Sequence, residues 1–86
     1  MLVLDVQADL LENLNTRVVV PLLPESNAPA PAKFLNPVFT FEDETFVLAT
    51  QFLSAVSAAQ LSDSIGSLDE HHSEIMRALD VLFQGV

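Results

Sequence analysis

Three carboxylates near the start of the chain, Asp5, Asp9 and Glu12, and two adjacent imidazoles, His71 and His72, are the groups best suited to acid/base or metal chemistry. Such chemistry needs the groups to converge on one point. Neighbouring residues on a helix project roughly 100° apart, so His71 and His72 are poorly placed to share one ion. With twelve acidic residues in 86, separated carboxylates are expected to be solvated rather than paired for catalysis. Serine and threonine are plentiful, but a hydrolytic nucleophile needs a base and an orienting acid. Only Gly66 and Gly85 are available to build a nucleophile elbow. No catalytic residue, metal ligand or cofactor site is nominated, and an enzyme is not expected.

Charge narrows the partners. Arg17, Lys33 and Arg77 are the only strong cations, and against twelve acids they leave a net charge of −9. Phosphate backbones are repelled by such a surface, so direct nucleic-acid binding is not expected and a protein partner is. The chain has no cysteine, which excludes disulfides and thiolate chemistry and suits a reducing cytoplasm. The longest apolar runs, such as Val18 to Leu23, are too short to span a bilayer, and the start lacks the basic residues of a secretory signal. The expectation is a cytoplasmic protein that does not enter membranes.

The elements that position these residues follow from patterning. Half of the residues are apolar, but the six aromatics are all phenylalanine, so Leu, Val, Ile and Ala must build most of the core. Leu2 to Val6 and Val18 to Val20 read as paired strands, the second ending at Pro21, with a turn over Glu12 to Thr16. Five prolines between Pro21 and Pro37 give an exposed, extended loop, taken as residues 22–36 of a single 1–86 domain. Val38 to Phe41 and Thr45 to Ala49 form a hairpin around Glu42-Asp43-Glu44. Phe52 to Leu61 fits either helix or strand.

The last element is the clearest. Ser67-Leu68-Asp69-Glu70 has the pattern of a capping box. Ile75, Met76, Leu79, Leu82 and Phe83 then form one apolar stripe, and Gly85 is the stop. The stripe reads as core or as dimer interface, which the sequence does not separate; in a domain this small the expectation is a homodimer with Ile75, Met76, Leu79 and Leu82 at its interface.

Two stretches together resemble the CcdB family. One is Leu4-Asp5-Val6-Gln7-Ala8-Asp9-Leu10-Leu11 with Thr16-Arg17-Val18-Val19-Val20-Pro21-Leu22, similar to the family's strand, acidic-apolar turn and second strand ending in Ile-Pro-Leu. The other runs from Asn36-Pro37-Val38 to Ala78-Leu79-Asp80-Val81-Leu82-Phe83-Gln84-Gly85-Val86, similar to a family helix that finishes Phe-Trp-Gly-Ile. The resemblance implies a mainly β fold: an SH3-like, partly open antiparallel barrel with a small wing sheet and one C-terminal α-helix. For Phe52 to Leu61 it favours strand.

By function, the resemblance implies the toxin of a plasmid-maintenance toxin–antitoxin module. Such a toxin inhibits the topoisomerase DNA gyrase through its A subunit, is neutralised by the CcdA antitoxin, and takes part in transcriptional repression of its operon. Carried over by position, gyrase contacts fall on Leu10, Leu11, Asp80, Phe83, Gln84, Gly85 and Val86. Two of these depart from the family pattern. Gln84 stands where the family has tryptophan, and Asp80 where it has asparagine. Gln84 is expected to weaken gyrase inhibition, since glutamine has no aromatic face to stack on an arginine. The alternative is a non-toxic homologue that keeps dimerisation, antitoxin binding and co-repression. The family's first strand has no counterpart before Leu2, so an uncovered sheet edge is also expected.

Overall fold

The computed structural model describes residues 2–85. Five antiparallel strands, β1 (Leu2–Asp5), β2 (Thr16–Pro24), β3 (Val38–Phe41), β4 (Glu44–Leu48) and β5 (Ser54–Ser57), form one sheet that curls into a half-barrel, and α1 (His72–Gln84) closes it. The mainly β class with a single C-terminal helix is as the sequence leads one to expect. No helix among the described residues is long and apolar enough to cross a membrane.

The axis of the sheet is β2. Along one side it pairs with β1, from Leu2 opposite Leu22 to Asp5 opposite Val19. Its other side is shared: β5 takes Thr16 to Val19, and β4 takes Leu22 to Pro24. Pro21 therefore does not end the strand, contrary to the expectation from its missing N–H. In an antiparallel strand a residue's N–H and C=O point to the same side. The Pro21 carbonyl accepts from Ala49 N at 2.9 Å, so the absent donor falls in the gap between β5 and β4, where no ladder bond is lost.

Two further local readings are corrected. The β3–β4 register puts Phe41 opposite Glu44, so the hairpin loop is Glu42-Asp43 alone rather than Glu42-Asp43-Glu44. Both loop residues have positive φ, 51° and 65°, as the tight turn matching strand twist requires. At the helix start, the Ser67 hydroxyl accepts from Asp69 N at 3.1 Å, but the reciprocal half of the capping box is not made. A 3-10 turn over Asp69–His71 intervenes, and α1 begins only at His72. The ambiguous segment resolves as β5 followed by a 3-10 turn over Ala58–Gln60.

Alternation decides which side chains meet the helix. Val20 and Leu22 of β2 and Phe46 and Leu48 of β4 lie at every second position, and with Phe39 they pack against Ile75 and Leu79 of α1. Burying each such side chain stabilises the fold by about 1.5–3 kcal/mol. The Pro-rich segment is fastened to this core at its far end. Asn36, buried, donates from its side-chain amide to the Leu48 carbonyl at 2.9 Å and to Gln51 Oε1 at 2.8 Å, while its Oδ1 accepts from Ala32 N at 3.0 Å. Thr50, also buried, donates to the Leu35 carbonyl. Among the described residues no buried side-chain polar atom is left without a partner.

Candidate functional site

The β1–β2 connection is built to present leucine to solvent. A 3-10 turn, Asp9–Leu11, is closed by Leu11 N donating to Ala8 O at 2.9 Å and Glu12 N to Asp9 O at 3.1 Å. Gln7 holds the turn in place. Its Nε2 donates to the Leu11 carbonyl at 3.0 Å, and its Oε1 accepts from Val18 N at 3.0 Å, joining the turn to β2. Leu10 is left 90% exposed, with Leu11 and Leu14 exposed beside it. Leu14 was not singled out from sequence, although its spacing of three from Leu11 on a tight turn could have drawn it in. Its amide donates to Leu11 O at 3.1 Å.

Beneath the turn, Asp5 is committed to structure. Its carboxylate accepts from Arg17 Nε at 2.8 Å and Nη2 at 3.0 Å, and also from Gln7 N at 3.0 Å. This pairing, first through the hydrogen bond and then through charge, raises the Arg17 guanidinium above its ordinary value. Asp9 and Glu12 stay exposed. The three carboxylates thus do not form an acid/base set.

The histidines part company as well. His71 is half-buried with its ring 4.6 Å from that of Phe39, and its Nδ1 lies 3.2 Å from Glu74 Oε1. His72 is exposed. Among the described residues no group of three candidate ligands could hold a metal ion.

The second exposed apolar feature is the end of α1. Asp80, Phe83 and Gln84 stand at i, i+3 and i+4, and so occupy one helical face. All three are exposed, Phe83 to 67%. Gly85 ends the helix at φ 73°, its amide donating to Val81 O at 2.9 Å. That left-handed cap is strained for any residue with a Cβ, and it fixes the direction in which the chain leaves the helix. Val86 lies outside the described residues.

The apolar stripe of α1 divides between two roles. Ile75 and Leu79 are already buried against the sheet of their own chain. Leu82 is half-buried, and Met76 is 43% exposed. Of the four residues nominated for a dimer interface, Met76 and Leu82 retain surface to offer a second copy, whereas Ile75 and Leu79 are spent on the core.

A groove of about 920 Å³ is bordered by Leu2 to Asp9, by the connection over residues 60–69, and by His72, Ile75 and Met76 of α1. It coincides with the outer edge of β1, which has no strand beside it among the described residues. Against known families, the model of the family described as CcdB protein matches residues 1–85, covering nearly the whole chain.

Proposed function

We propose, from the premise that this chain belongs to the CcdB toxin family of toxin–antitoxin systems, that it is a gyrase-directed toxin whose grip on its target is weakened by Gln84. The reading rests chiefly on the end of α1, where Phe83 projects 67% exposed beside Asp80 and Gln84 and Gly85 fixes the chain's exit. An aromatic held outward on a rigid helix is the kind of anchor that dominates small protein interfaces. The leucines of the β1–β2 turn form the second contact, so the gyrase A subunit meets Leu10, Leu11, Asp80, Phe83, Gln84, Gly85 and Val86.

The action is not catalytic. As in the family, a toxin homodimer enters the open gyrase A dimer and traps the cleaved DNA complex, and a CcdA-like antitoxin removes it by folding a flexible tail onto the toxin. The dimer forms through α1, with Met76 and Leu82 meeting their counterparts. The protein works in the cytoplasm, within a plasmid-maintenance module whose antitoxin complex also represses its operon.

One observation favours a second reading. The exposed amide of Gln84 replaces a stacking surface and leaves Phe83 as the sole aromatic of the patch. On that reading the chain has lost poisoning and retains dimerisation, antitoxin binding and co-repression. Titrating purified gyrase A into the full chain, alongside growth of a gyrase-sensitive strain expressing it, separates the two. Measurable binding with slowed growth supports a weakened toxin, and antitoxin binding without gyrase binding supports the non-toxic homologue.

A further inference from the structure

Two of the chain's three strong cations gather on one exposed aromatic ring. The Arg77 guanidinium carbon lies 3.6 Å from the Phe34 ring centroid, and Lys33 Nζ lies 4.9 Å from the same centroid. The third cation, Arg17, is already paired with Asp5. Among the described residues Lys33 and Arg77 make no ion pair, although acids outnumber bases twelve to three in the chain. Phe34 keeps 44% of its surface exposed and holds φ at 67°. For an aromatic L-residue that backbone region is sterically costly, and such residues persist where the surroundings over-determine them, often at ligand clamps.

A guanidinium held over a ring face still has N–H donors at its edge, arranged to meet a carboxylate two at a time. We propose that Lys33, Phe34 and Arg77 form a docking site for an acidic peptide segment of a protein partner: a carboxylate engages the Arg77 fork, a second neighbours Lys33, and aliphatic stems cover the Phe34 ring. Charge complementarity selects this occupant. On a surface carrying −9 overall, the cluster is where an acidic segment meets unpaired positive charge, so it is held there and repelled elsewhere. A nucleic acid fits less well, because its affinity grows with the number of phosphates neutralised and two cations neutralise few. The site goes beyond the gyrase reading and stands whether or not gyrase is engaged.

The test is an NMR titration of the labelled full chain at low salt with a short glutamate-rich peptide. The Phe34 ring and Arg77 Nε–H resonances should shift together, and the affinity should fall as salt is added. Arg77→Gln should weaken binding by about tenfold, the loss of one charge-assisted pair. Lys33→Gln, which leaves the Arg77–Phe34 contact in place, should weaken it by about threefold and carries the test if the arginine variant misfolds. Peptide shifts scattered away from the cluster, or unaltered affinity in Lys33→Gln and a folded Arg77→Gln, would overturn the proposal. So would a single-stranded oligonucleotide that binds the same residues more tightly than the peptide.

Discussion

The side-chain amide of Asn36 donates to the main-chain carbonyl of Leu48 at 2.9 Å, joining the end of the Pro-rich segment to the most buried strand of the sheet. Leu48 is 0% exposed and Asn36 7%, so the bond is shielded from water. Removing the amide takes from the buried Leu48 carbonyl its short donor and leaves it only the long 3.4 Å contact from Thr50 Oγ1. Asn36→Ala should therefore lower stability by about 1–3 kcal/mol. Urea unfolding should show a lower midpoint at unchanged slope, and an unchanged midpoint would mean that water replaces the amide without loss.

Gly66 predicts a second cost. A Cβ added there would sit 2.6 and 2.8 Å from carbons of the Phe41 ring, closer than non-bonded carbons approach. Gly66→Ala should destabilise by about 1–3 kcal/mol, as overpacking does. The companion variant Gly66→Ala, Phe41→Leu should recover part of that loss in the same thermal melt. Equal melting of Gly66→Ala and the parent would contradict the close approach.

Core and patch should respond in opposite ways. Leu48→Ala empties a fully buried position and should cost about 2–5 kcal/mol. Phe83→Ala and Leu10→Ala remove exposed side chains and should leave stability within about 0.5 kcal/mol. If the Phe83 variant unfolds early, the ring belongs to the fold and cannot be held in reserve for a partner.

The division of the α1 stripe gives a similar contrast. Leu79→Asp places a charge in the core and should unfold the chain, whereas Met76→Asp should leave a folded monomer. Sedimentation of the unmodified chain at micromolar concentration should show a dimer. A stable monomer there would count against the helix-mediated interface.

What the sequence made legible was whatever local pattern decides. The helix and its stop at Gly85 needed only helical period and a left-handed cap, but of the stripe Ile75, Met76, Leu79, Leu82 and Phe83 only Ile75 and Leu79 are buried, and which members face the sheet was not in the period. The reading of Pro21 as a strand end failed because tolerance of a missing donor depends on which strands lie alongside, and β5 and β4 happen to leave a gap there. The buried role of Asn36 was hidden for the same reason: its partners, Leu48 and Gln51, are 12 and 15 residues away. At the candidate site the exposed residues Leu10, Phe83 and Gln84 were nominated by resemblance, while Gln7 and Leu14 were missed. Gln7 positions the turn through bonds to Leu11 and Val18 that only the folded chain brings within reach.

The central claim, that the end of α1 is a gyrase-binding surface that keeps Phe83 but lacks a second aromatic at position 84, is tested most directly by the affinity of purified gyrase A for the parent chain and for Gln84→Trp. Restoring an anchor should tighten binding by about thirtyfold to a thousandfold, equivalent to roughly 2–4 kcal/mol. Growth inhibition should rise with it, and antitoxin binding, measured on both proteins as a control for folding, should be unchanged. Tight binding by the parent chain itself, or no gain from tryptophan in a folded variant, would contradict the account.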